Sequence, residues 1–150
     1  MDSREAAERF ARTWEVRWLR GDVAAISALY AEDCIHRSMP FRPLHEGRGG
    51  VVDYVRWAFS TERATEGVRW AFSTERATEV RFSRPLLAGD MATVEYVAHL
   101  VEEPDRKPVT IAGCALVRFG PAGLVAEARD YWHQSDGHRP PTGESFLAGR

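Results

Sequence analysis

Between residues 4 and 20, Ala7, Phe10, Ala11, Trp14 and Trp18 recur at helical spacing, which predicts an amphipathic helix with one apolar stripe. Asp2 and Glu5 offer capping chemistry at its start, and Gly21 offers a stop. Asp22 then caps a second helix running through Tyr30, with Val23, Ile26, Leu29 and Tyr30 facing inward. A short extended segment, Cys34 to Ser38, ends where Pro40 and Pro43 interrupt regular pairing. Val51, Val52, Val55, Ala58 and Phe59 mark a third helix that starts near Gly49. From Val80 the texture turns to strand. Segments 80–88, 91–102, 109–119 and 124–134 are separated by GD, EEPDRKP and GPAG, all turn-forming sequences. Helices followed by a run of strands predict an α+β fold, and from Ser135 onward the chain reads as a flexible tail.

One feature interrupts this pattern. Residues 55–66 read VRWAFSTERATE, and residues 68–79 read the same twelve letters again, with Gly67 between them. A solenoid needs three or more diverged repeats, so two identical copies indicate a recent or engineered 13-residue duplication inside one domain. Thirteen helical residues rotate a face by about 220°, so both copies cannot occupy the same surroundings. The first copy follows Tyr54 and keeps the native helix contacts, while the extra length falls after Phe59. Residues 61–74 are expected to be largely helical, with Trp70 and Phe72 covering a neighbouring surface or recruiting a second chain.

Composition narrows the class. The chain has 150 residues, 44% hydrophobic and 28% charged, which suits a single globular domain, set at 1–134 with a tail over 135–150. A net charge of −2 argues against nucleic acid as the main partner. No apolar stretch approaches the ~20 residues of a membrane span, and the N-terminus lacks the apolar core of a signal peptide. Cys34 and Cys114 fit a reduced, cytoplasmic protein. Lys107 is the single lysine and lies in a turn sequence, which leaves no buried lysine for Schiff-base chemistry. P-loop, GxGxxG, HExxH and CxxC motifs are missing, and His133 with His138 makes a poor metal pair, so neither cofactor nor metal is expected.

LYAEDCIHRSMPFRP, HEGRGGVVDYV and VRFGPAGLVAEARDYW together resemble the nuclear transport factor 2-like superfamily across roughly residues 5–134. Within it they are most similar to the SnoaL-like proteins, the group of polyketide cyclases and limonene-epoxide hydrolases. The resemblance implies a cone: a curved antiparallel sheet wrapped around three N-terminal helices, enclosing an apolar pocket. It also implies a homodimer built on the outer sheet face and cofactor-free chemistry on a small, apolar, oxygenated molecule.

Strand parity sorts the candidate residues. On the last strand Ala126, Ala128, Asp130 and Trp132 share the face expected to line the pocket, opposite Glu127, Arg129, Tyr131 and His133. Cys34, His36 and Ser38 fall together on the first strand, and Tyr96 joins Val94, Ala98 and Leu100 on the long one. Asp130 is the leading candidate. An aspartate among alanine and tryptophan is desolvated, and a raised pKa suits it to proton transfer near neutrality. The epoxide-hydrolase resemblance also implies a catalytic Asp at this RDY. His36 is placed to hold or activate a water for Asp130, and reads equally as a satisfied core histidine. Tyr96 and Ser38 can donate to a substrate oxygen, and Trp14, Trp18, Phe41 and Trp132 are the expected cavity wall.

The rest of the epoxide-hydrolase set is not carried. Its Arg and second Asp fall on Tyr96 and Ala98, and its Tyr and Asn on His36 and Ser38. The Tyr and Asp of the related ketosteroid isomerases fall on Trp14 and Ser38. Two readings therefore stand: a cofactor-free cyclase, isomerase or hydrolase using Asp130 as general acid or base, and a non-catalytic ligand-binding or dimerisation module, including an engineered helix-duplication variant of one.

Overall fold

The computed structural model describes residues 1–58, 75–102 and 105–142, apart from the side chains of Glu75 and Arg76. Helix α1 (Ser3–Trp18) opens on a reciprocal cap: the Glu5 amide donates to Asp2 Oδ1 at 2.8 Å, and the Asp2 amide donates to Glu5 Oε2 at 3.3 Å. Gly21, at φ +61°, turns the chain out of that helix. Asp22 caps α2 (Val23–Ser27) through the Ala25 amide at 3.0 Å. This helix is shorter than its apolar spacing suggests, because Tyr30 already begins β1 (Tyr30–Ser38), where it pairs with Val125. Tertiary strand pairing outweighs a weak local preference over these three residues. After β2 (His45–Glu46) comes α3 (Gly47–Ala58), which buries Val51, Tyr54 and Val55.

The remaining strands are β3 (Glu75–Phe82), β4 (Leu86–Ala88), β5 (Met91–Glu102), β6 (Lys107–Phe119) and β7 (Val125–Asp136). They form a curved, open seven-stranded sheet in the order β2-β1-β7-β6-β5-β3, with β4 also on β5. The expected α+β cone architecture is present. One pair departs from the antiparallel expectation: β1 runs parallel to β7, with His36 opposite Ala128 and Ser38 opposite Asp130. The helical stretch between β1 and the later strands makes that crossover possible. The expected strand over 80–88 divides into β3 and β4 at Ser83–Pro85, where proline cannot donate to a ladder. β7 runs past the expected end at residue 134 to Asp136. Beyond it the Gly137 amide donates to Pro108 O and the Arg139 amide to Thr110 Oγ1. The core lies between α1, α3 and the concave sheet face, and includes Phe10, Trp14, Tyr30, Val55, Leu100 and Val125.

Only opposite ends of the two repeat copies are described. Val55–Ala58 of the first copy closes α3, whereas Glu75–Glu79 of the second opens β3, five residues before the expected strand start at Val80. The expectation of helix over residues 61–74 lies outside the described residues. Deleting Gly67–Glu79 would splice Glu66 onto Val80, so that ERATEVRF is regenerated letter for letter and α3 is left intact. The connection would become Phe59-Ser60-Thr61, within the usual length of a helix-to-strand loop. The shortened chain is expected to keep the same sheet, read as an amide NMR fingerprint unchanged for β5, β6 and β7. Loss of that fingerprint would show that the additional residues belong to the core.

Candidate active site

The concave face of the sheet carries a cavity whose walls, among the described residues, are mostly aromatic. Phe10, Trp14 and Trp18 come from α1, Tyr54 and Trp57 from α3, and Tyr30, Phe82, Tyr96 and Trp132 from the strands. About 50 Å³ of it is open to the centre of a water molecule, room for a few waters or one small organic molecule. The polar groups in this wall are few and converge. Asp130 on β7, Tyr96 on β5, Tyr54 on α3 and His36 on β1 reach the same space, beside Tyr30 on β1 and Arg129, which is ion-paired with Glu127.

Asp130 is held by two phenols. Tyr96 Oη donates to Oδ1 at 2.7 Å, and Tyr54 Oη lies 3.2 Å from Oδ2. Burial raises the carboxyl pKa from 3.8 to about 6, while the hydrogen bonds from Tyr96, Tyr54 and the Tyr131 amide hold it down from a higher value. The desolvation expected from Ala128 and Trp132 therefore wins, but against opposition. Both phenols are themselves pushed well above the usual tyrosine range, chiefly by burial and then by the neighbouring carboxylate, so they remain donors at any working pH.

Behind this triad sits Ser38, fully buried. It accepts from the Trp132 indole N–H at 2.9 Å and lies 3.3 Å from Tyr54 Oη. An indole can only donate, so Ser38 must accept from it and keeps its own proton for Tyr54. The single phenolic proton of Tyr54 can then turn to Asp130 when the carboxyl is ionised, or to Ser38 when it is neutral.

His36 is 3% exposed, and its ring stands 4.2 Å from that of Tyr54. Neither ring nitrogen has a hydrogen-bond partner among the described residues. Burial, with a smaller contribution from nearby His45, lowers its pKa from 6.5 to about 3, so the ring is neutral near pH 7. Of its two alternative readings, the satisfied core histidine is not what the structure presents. A neutral imidazole facing a cavity offers one donor and one acceptor to whatever enters.

The structure thus brings together Asp130, His36, Tyr96, Trp14, Trp18 and Trp132 at one cavity, with Ser38 supporting it from behind. Phe41 is a correction. It is fully exposed and lies outside the cavity wall, because the chain after β1 turns outward at Met39 (φ 68°) and Pro40. Sequence reasoning missed Tyr54 and Trp57. Tyr54 falls three residues after Val51 and four before Ala58, so the helical spacing of α3 contained the signal.

Gly113 also escaped notice. It sits on β6 between Tyr96 and Trp132, and a Cβ there would meet Tyr131 O at 2.5 Å, Trp132 Cβ at 2.7 Å and Tyr96 Oη at 2.7 Å. The missing side chain is the notch through which the Tyr96 hydroxyl reaches Asp130. Gly113→Ala is expected to destabilise the fold by roughly 1–3 kcal/mol through overpacking. It should also raise the Asp130 pKa above about 6 by displacing its strongest donor. Carboxyl-carbon NMR titration checks the second effect, and an unchanged titration would exclude the notch role.

Against known proteins, the SnoaL-like domain family matches residues 7–128, and the chain belongs to that family. No curated protein sequence matches it. In three dimensions it is similar to the crystal structure of a "Putative Isomerase from Bacillus subtilis", with a TM-score of 0.69 at 16% identity. That alignment covers 89% of this chain and 90% of the other, a likeness of fold.

Proposed function

We propose that the protein is a cofactor-free enzyme of the cyclase, isomerase or hydrolase type, acting on a small, largely apolar, oxygenated molecule. The observation that carries this reading is a carboxyl group raised to about 6 that faces a cavity beside a neutral histidine with no partner for either nitrogen. Asp130 exchanges a proton with the substrate as general base when ionised and as general acid when neutral. Tyr96 and Tyr54 steady the ionised form, and Ser38 takes up the Tyr54 hydroxyl once the carboxyl is protonated. His36 binds a substrate oxygen or orients a water, donating from one nitrogen and accepting at the other. The aromatic walls hold the apolar remainder and exclude bulk water, which strengthens each of these polar contacts. Membership of the SnoaL-like family and the fold shared with an isomerase-described protein support the same class.

The test is exchange of α-protons for deuterium in small cyclic ketones, followed by proton NMR in heavy water, alongside opening of small epoxides. Turnover of either class is expected to rise or fall through about pH 6 and to vanish in Asp130→Asn. Equal rates in the wild type and that variant would remove Asp130 from the chemistry and favour a non-catalytic ligand-binding module. The reading also includes a homodimer through the outer sheet face, where Tyr131 is exposed and receives a hydrogen bond from Arg37 Nη2 at 3.1 Å. Sedimentation of Tyr131→Glu against the wild type tests it.

A further inference from the structure

The loop after β1 carries a cation that the chemistry above does not use. Arg42 is exposed, and its Cζ stands 4.9 Å from the Trp57 ring centroid and 5.5 Å from that of Trp132, both tryptophans of the cavity wall. Its position is built rather than incidental. The Met39 amide donates to Asp130 O at 2.8 Å, Met39 Sδ accepts from the Trp132 amide at 3.4 Å, and the Arg42 amide closes the turn onto Met39 O at 3.3 Å. The turn is thereby pinned to the strand that carries Asp130, with Met39 in the left-handed region.

Arg17, Arg48, Arg118 and Arg129 each lie within ion-pair distance of a carboxylate. Arg42 has no such partner among the described residues. Contact with aromatic faces engages the π surface of a guanidinium and leaves its in-plane N–H groups free. Those donors match a planar carboxylate, which they can bind in a fork. The cavity wall is mostly aromatic and aliphatic, and it also holds His36 and Asp130, where the unpartnered imidazole awaits a neutral polar group.

We infer that the cavity takes a small molecule with a carboxylate at one end of an apolar body, Arg42 binding that carboxylate at the rim while the body lies among the aromatic side chains. The inference rests on the ligand-pocket reading above and adds the charge of the ligand. Benzoate and methyl benzoate, equal in their apolar part, are suitable probes. Both are titrated into the full chain while the indole N–H signals of its five tryptophans are followed by NMR. Benzoate is expected to bind about tenfold more tightly than the ester, with the Trp57 and Trp132 signals moving most. Arg42→Gln should abolish that preference while leaving ester binding intact, and Arg42→Lys should retain part of it. An unchanged sheet fingerprint verifies that the variants are folded. Equal affinity for acid and ester in the wild type, or a preference that survives Arg42→Gln, would overturn the role of Arg42 and leave the pocket reading standing. Failure of both probes to move any indole signal would overturn the pocket reading and this inference together.

Discussion

Asp130→Asn is expected to make the protein both inactive and more stable. Removing the proton-transfer group should cost about 10²–10⁴-fold in turnover, the usual contribution of a positioned general acid or base. The stability gain follows from the carboxyl pKa. It stands at about 6 in the folded chain against 3.8 unperturbed, so between those pH values the native state keeps a proton that the unfolded state has released. Native stability therefore falls as pH rises through this window, and the deficit is fully present above pH 6. The gap between the folded and unfolded values corresponds to roughly 3 kcal/mol, the upper limit of what neutral asparagine can recover at pH 7 to 8. The gain should shrink as pH falls and vanish below about pH 3, where the wild-type carboxyl is neutral in both states. Denaturant unfolding at several pH values checks this. A variant equally stable or less stable than the wild type at pH 8 would mean that Asp130 is a structural, paired carboxylate.

His36→Phe is expected to show the opposite dependence on pH. The folded histidine titrates at about 3 and the unfolded one at 6.5, so below 6.5 the unfolded state takes up a proton that the native state refuses. Wild-type stability is lost as pH falls through that window. Phenylalanine removes this loss, and its advantage over the wild type should grow by about 1.4 kcal/mol per pH unit, reaching roughly 3 kcal/mol near pH 4.5. At neutral pH a further gain of about 1–3 kcal/mol is expected, since two unpartnered buried nitrogens disappear. In the wild type the two linkages run in opposite directions between about pH 6 and 4 and nearly cancel. A flat wild-type profile that separates into two opposite slopes in the single variants is the signature. An advantage for His36→Phe that stays constant with pH would show that the folded histidine titrates normally.

Local pattern carried much of this. The amphipathic stripe of the first helix, the Asp2 and Asp22 caps, the turn sequences and the two-residue alternation of the last strand are written in neighbouring residues, and each appears where the spacing places it. Alternation alone put Ala128, Asp130 and Trp132 on one face, and an aspartate among such neighbours already implies a raised pKa. Phe41 shows the limit. Its apolar character suggested a cavity wall, but a left-handed Met39 followed by proline sends it into solvent, and that conformation depends on bonds to β7.

By itself, then, the sequence determined the type of the long elements, which faces are apolar and which carboxylate is desolvated, because these follow from periods of a few residues. Tertiary structure decided the company that carboxylate keeps. The parallel pairing of β1 with β7 sets Ser38 against Asp130, the notch at Gly113 admits the Tyr96 hydroxyl, and the packing of α3 delivers Tyr54. It also decided that residues 75–79 open an edge strand paired with β5. Such outcomes rest on pairings between residues tens of positions apart, which no local period encodes, and they place two phenols on the carboxylate and none on the imidazole.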